Sequence, residues 1–112
     1  MELQVEHLSD GVARAVAIGR WDVAGAAAID LRLSALAGSG RSVIVDMAQV
    51  TFLSSMGIRS ILMSAKTVQL RKAVLVLLAP VDTVEQVLIS TGIDTIVPIH
   101  PDFSAALAAV GG

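Results

Sequence analysis

VIVDMAQVTFLSSMGIRSIL, residues 43–62, reads as a buried strand, an apolar-rich link and the start of a helix. The strand is SVIVDM, residues 42–47, a β-branched run of the kind that is covered on both faces of a sheet. The helix runs from about Ser55 to Leu70, with Ile58, Ile61, Leu62, Ala65 and Val68 recurring at helical spacing on the face expected to meet the sheet. A buried strand feeding a helix is the unit of a parallel α/β sheet.

The same alternation continues on both sides. Upstream, Leu3, Val5 and His7 alternate with Glu2, Gln4 and Glu6, the period of a half-buried strand. Asp10-Gly11 is a turn signal, and VARAVAIG (12–19) resumes strand character, so the pair reads as an antiparallel hairpin. Asp22 caps a helix to about Ala37 with Ile29, Leu33 and Leu36 inward, and GSGR (38–41) ends it. Downstream, Ala73 to Leu78 is a buried strand stopped by Ala79-Pro80, and Val81 to Thr91 is a third helix with Val84, Val87 and Leu88 inward and Gly92 as its stop. Thr95 to Ile99 reads as a last strand, and Asp102 opens a terminal helix that frays at Gly111-Gly112. The expectation is one domain, residues 1–112, of α/β class. It has a single-layer, mixed, mostly parallel sheet of about five strands, an antiparallel N-terminal edge and about four helices.

Composition narrows the function. Of 112 residues, 54% are apolar and 16% charged, which excludes a disordered chain. Aromatic residues make up 3% and Tyr is absent, so a base-stacking platform has no material. A net charge of −2 with no basic cluster argues against nucleic acid as a partner. Cysteine is absent, which excludes disulfides and suits a reducing cytoplasm, the expected location. Mean hydropathy is +0.77, but the longest charge-free run, Met47 to Ile58, falls short of the about 18–20 residues of a spanning helix. Membrane insertion is not expected. Nor does the charged N-terminus resemble a signal peptide.

The paired serines 54 and 55 raise the question of catalysis. A nucleophile elbow needs glycine two positions before the serine, and Leu53 stands there. The two histidines, His7 and His100, are isolated from any ordered acid, so no triad is assembled. AGSGRS (37–42) lacks the Lys-Ser/Thr ending of a phosphate loop and precedes a strand instead of following one. No metal-ligand spacing is present, and neither a cofactor nor a catalytic residue is expected. What remains is a helix start. One serine caps it, and its neighbour is exposed where the helix dipole tolerates an added anion. The outer flank carries Met56, Met63 and Leu70 beside Arg59, Ser60 and Thr67. That flank is either buried under the third helix or an adaptable partner surface. Asp22 and Asp46 each end a strand and are expected at the carboxyl-end rim of the sheet, with Ser55.

In this order the motifs resemble those of the STAS domain family of anti-sigma factor antagonists, with its SpoIIAA-like fold. Asp46 takes the strand-end position, and Ser55-Met56-Gly57-Ile58 is similar to the family's phosphoacceptor-x-Gly-apolar segment. Gly19-Arg20-Trp21-Asp22 resembles its Gly-x-Leu-Asp, and Ser90-Thr91-Gly92-Ile93 its ending to the third helix. The resemblance implies a non-enzymatic switch with Ser55 as phosphoacceptor and Ser54, where the family often has Asp, as a minor alternative. The implied partners are an anti-sigma factor serine kinase of histidine-kinase-like ATPase fold, bound while the serine is unmodified, and a PP2C-type phosphatase that resets it. The implied partner-binding residues are Asp22, Asp46, Ser54, Met56, Gly57, Arg59, Ser60 and Met63. The alternative is a STAS subunit docked permanently in a larger complex, such as a lipid-transport ABC system.

Overall fold

The computed structural model describes residues 1–8 and 11–111. The turn expected at Asp10-Gly11 and the fraying at Gly111-Gly112 therefore lie partly outside the described residues. The elements in chain order are β1 (Glu2–His7), β2 (Val12–Trp21), α1 (Val23–Ala37), β3 (Ser42–Leu53), α2 (Ser55–Leu70), β4 (Leu75–Leu78), α3 (Asp82–Ser90), a 3₁₀ turn (Ile93–Thr95), β5 (Ile99–His100) and α4 (Phe103–Ala109).

The sheet has five strands in the order β1-β2-β3-β4-β5. β1 runs antiparallel to β2, and every other neighbouring pair is parallel. The mixed α/β sheet and its four helices are those expected from the sequence. Each parallel step goes to the next strand over, so three crossovers of one hand put α1, α2 and α3 on one face. That face holds the main core. Ile29 and Leu33 of α1, Ile61, Ala65 and Val68 of α2, and Val84 and Leu88 of α3 meet Val43, Val45 and Met47 of β3. β2 presents Ala13, Ala15 and Ala17 to them, all fully buried. Alternation then sends Val12 and Ile44 to the other face, where α4 covers them through Ala106 and the adjoining Val110, with Leu8 and Ala79 at the margin.

Two strands differ from their sequence reading. β3 does not stop at Met47 but continues through the supposed link to Leu53. Its register on β2 shifts twice: Val16 faces Asp46 while Ile18 faces Gln49, and Gly19 faces Val50 while Arg20 faces Phe52. Each shift adds a residue to β3, which resets which side chains point inward and breaks the alternation that would reveal a strand. The strand expected at Thr95 to Ile99 is also corrected. Gly92, at φ 78°, starts a 3₁₀ turn through Thr95, whose hydroxyl donates to the Gly92 carbonyl at 2.6 Å. Pro98 has no N–H and offers only its carbonyl, which accepts from Leu77 at 2.9 Å, and paired strand follows at Ile99–His100.

Candidate functional site

β2 and β3 end side by side, with Trp21 opposite Leu53. The next residue of each strand, Asp22 and Ser54, caps a helix. Asp22 Oδ1 accepts from the Gly25 N–H at 2.8 Å. That hydrogen bond, with Arg20 at 3.6 Å helping, holds the Asp22 carboxyl below its ordinary value. Ser54 is fully engaged. Its backbone N–H donates to the Trp21 carbonyl at 2.9 Å, its hydroxyl donates to the same oxygen at 2.8 Å, and Oγ receives a long contact from Gly57 N–H at 3.4 Å.

Ser55 is the first residue of α2 and is exposed. Among the described hydrogen bonds none uses its hydroxyl. The serine pair is thus divided between one structural hydroxyl and one facing solvent at a helix start with no acidic residue in its first turn.

Gly57, two residues on, is buried. A Cβ there would stand 2.6 Å from Leu53 Cδ1 and 2.8 Å from Trp21 Cγ. α2 therefore rests directly on the fully buried Trp21 ring, and Gly57 permits that approach. The indole N–H of Trp21 is buried there without a partner among the described residues.

α2 lies beside α1, and a groove of about 400 Å³ runs between them. Met56 and Met63 wall it, and Asp30 and Arg59 stand in it. On its floor Ser60 is 8% exposed, with Oγ 2.7 Å from Asp30 Oδ1 and 3.1 Å from the Met56 carbonyl. The single hydroxyl proton serves the nearer, charged acceptor. Met63 and Leu70 are exposed, 56% and 83%, so α3 does not bury that flank.

The family model for the STAS domain matches residues 10–106. This chain belongs to the STAS domain family. No curated protein matches it in sequence. Among solved structures, an anti-sigma factor antagonist from Mycobacterium paratuberculosis is 23% identical over 99% of this chain and 94% of that one, with a TM-score of 0.89. The Bacillus cell fate determinant SpoIIAA in its phosphorylated form is 17% identical over 96% of this chain and 99% of that one, at a TM-score of 0.73. The murine anion transporter Slc26a9 is 18% identical over 89% of this chain but only 18% of its own length, at a TM-score of 0.71. The SpoIIAA-like fold is thereby established for this STAS domain.

The coordinates redistribute the residues that the sequence groups together. Asp22, Ser54, Ser55, Met56, Arg59 and Met63 lie at the rim or on the α1–α2 side of the STAS domain. Three others do not stand on an exposed flank. Gly57 is sealed against Trp21, and Ser60 forms the groove floor. Asp46 is not at the rim. It sits inside β3, 6% exposed, and Leu53 lies roughly 20 Å further along at ordinary strand rise. Its Oδ2 accepts from Arg14 at 2.7 Å and its Oδ1 from the Ala48 N–H at 3.0 Å. Arg14 in turn lies 4.7 Å from the ring centroid of Phe103 on α4. Asp46 therefore works on the opposite face, tying the sheet to α4. The shortened reading of β3 is what put it at a strand end.

Asp30 is a site residue that the sequence motifs do not include. A signal was available: Gly57, Ser60 and Ser64 recur as small residues on α2, the mark of a second helix lying close. His7 and His100 lie on β1 and β5, the two outer strands of the sheet, far from Ser55. Among the described residues no cluster of His, Cys, Asp and Glu could hold a metal, and no helix is long and apolar enough to cross a membrane.

Proposed function

We propose that this STAS domain is a phosphorylation-switched anti-sigma factor antagonist acting in the cytoplasm. With a free Ser55 hydroxyl it binds an anti-sigma factor that is also a serine kinase of histidine-kinase-like ATPase fold. The docking face is the rim and outer side of α2, where Asp22, Ser54, Met56, Arg59 and Met63 stand around Ser55. The kinase transfers the terminal phosphoryl group of ATP to Ser55 Oγ, ADP leaves, and the hydroxyl proton passes to the kinase. The resulting charge of about −1.5 to −2 suits the helix start but opposes renewed docking. A PP2C-type phosphatase restores the hydroxyl by hydrolysis. The domain itself contributes no catalytic residue.

One observation carries this reading: of two adjacent serines, Ser54 has its hydroxyl committed to the Trp21 carbonyl while Ser55 is exposed and uncommitted. The test is phosphorylation by the kinase-fold anti-sigma factor of the source organism with labelled ATP. Label should appear on the wild type and on Ser54→Ala and be absent from Ser55→Ala. Affinity for the kinase should fall at least about tenfold once phosphate is attached. Label surviving in Ser55→Ala and lost in Ser54→Ala would overturn the assignment. The second reading, a permanently docked subunit, draws on the exposed apolar side chains Val23, Leu31, Met63 and Leu70. Protein isolated from its own cells without phosphate and bound to a transporter would favour it.

A further inference from the structure

Arg59 has no assigned work in the resting chain. It is exposed, and the two ion pairs found among the described residues, Arg14–Asp46 and Arg20–Asp22, leave it out. Asp30 lines the same groove but pairs with the Ser60 hydroxyl instead. Asp22, on the rim, is taken by the Gly25 N–H and faces Arg20. No acidic residue occupies the first turn of α2. Arg59 stands four residues after Ser55 on the same helix, a spacing that puts the two side chains on one face about 6 Å apart along the axis.

We propose that Arg59 is the intramolecular ligand of a phosphate on Ser55, so that modification also withdraws a cation from the α2 docking face. This rests on Ser55 being the phosphoacceptor. The order is the favourable one, with the anion N-terminal and the cation one turn later, in line with the helix dipole. The guanidinium can place two parallel N–H groups of a planar fork on two phosphate oxygens, a geometry that an ammonium, acting as a point charge, does not have. Before modification Arg59 is available to a partner's acidic group. Afterwards it is folded back along the helix. One chemical event thus changes the surface twice: it adds a dianion at the helix start and removes a positive contact one turn further on.

The experiment uses the full chain with phosphoserine placed at position 55 during translation, so it does not depend on any kinase. The second ionisation of the phosphate is followed by ³¹P NMR. Arg59 favours the dianion, so wild type should show an ionisation constant about three- to fivefold larger than Arg59→Ala. Arg59→Lys should recover only part of the difference. Asp30 on α1 and Asp22 and Arg20 at the rim face the same region and are present in every variant, so their fields cancel in the comparison. Arg59→Gln, which keeps the stem and loses the charge, guards against an effect of altered packing and should match Arg59→Ala. Equal constants in wild type and both neutral variants would overturn the capture. If kinase labelling of Ser55 succeeds while the constants are equal, the switch stands and Arg59 has no part in it. If the constants differ but no kinase labels Ser55, the pair is real and the proposed partner is wrong.

Discussion

α1 and α2 begin with the same four-residue device. Asp22-Val23-Ala24-Gly25 and Ser54-Ser55-Met56-Gly57 each follow neighbouring strand ends, each uses its first side chain as cap, and each cap faces the N–H of the glycine three residues on. In both, a neighbouring group stands too close for a Cβ, the Arg20 main chain at Gly25 and the Leu53 and Trp21 side chains at Gly57. The difference is electrical. α1 carries its own anion in Asp22, steadied by Arg20. α2 has a neutral cap, and its first turn holds no acid. The backbone module is duplicated, but only the copy at α2 leaves its positive end unfilled and sets an exposed hydroxyl beside it. The site's special character lies in what α2 lacks relative to its neighbour.

The largest effects should come from the two glycines, and they should be unequal. In Gly25→Ala the new methyl meets the Arg20 carbonyl, which is backbone and cannot turn aside, so a loss of about 2–3 kcal/mol in urea unfolding is expected. In Gly57→Ala the methyl meets side-chain atoms of Leu53 and Trp21, and the Leu53 tip can shift, so about 1–2 kcal/mol is expected. Equal losses would mean that the Trp21 ring is as unyielding as backbone. A neutral Gly57→Ala would mean that α2 can lift from the strand pair, which would undo the parallel between the two helix starts.

Next come the serines. Ser54→Ala removes a cap and should cost about 1 kcal/mol. Ser55→Ala touches an exposed side chain outside the described hydrogen bonds and should stay within about 0.5 kcal/mol. Thermal or urea unfolding of the two single variants separates the structural hydroxyl from the free one. A costly Ser55→Ala would show the hydroxyls sharing the cap.

Much of this arrangement is visible in the sequence, and the parts that are hidden have physical causes. Asp22 and the serine pair are local signals, since a cap and the helix it starts are contiguous in the chain. The hairpin, the buried β3 start and the first two helices follow from periodicity for the same reason. The far half of β3 is not legible because two register shifts reset its phase, so AQVTFL (48–53) looks like an apolar-rich link without strand alternation. Asp46 was misplaced as a direct consequence. The roles of Gly57 and Ser60 depend on Trp21 and Asp30, thirty or more residues away in the chain, and no local pattern states which distant group a small residue is making room for. The strand expected over Thr95 to Ile99 is paired only from Ile99, because the 3₁₀ turn still holds Thr95 and a short apolar segment carries either period equally well.

The smallest predicted effect isolates the electrical difference itself. The Asp22 carboxyl is held below its ordinary value of 3.8, chiefly by the Gly25 N–H. A carboxyl lowered in the folded state adds stability that is fully present above the unfolded value and is lost as pH falls through the folded one. Asp22→Asn keeps an oxygen that can cap but cannot ionise. The difference in unfolding free energy between wild type and Asp22→Asn should therefore be constant above about pH 5 and shrink below 3.8. All other carboxyls titrate in both proteins and drop out of that difference. The equivalent comparison at α2, wild type against Ser54→Ala, should show no such acid-side change, because neither cap ionises there. If the α2 difference also collapses below 3.8, an acid is acting at that helix start after all. The charge contrast between the two copies would then be lost, and with it the electrostatic argument that the start of α2 favours an added phosphate.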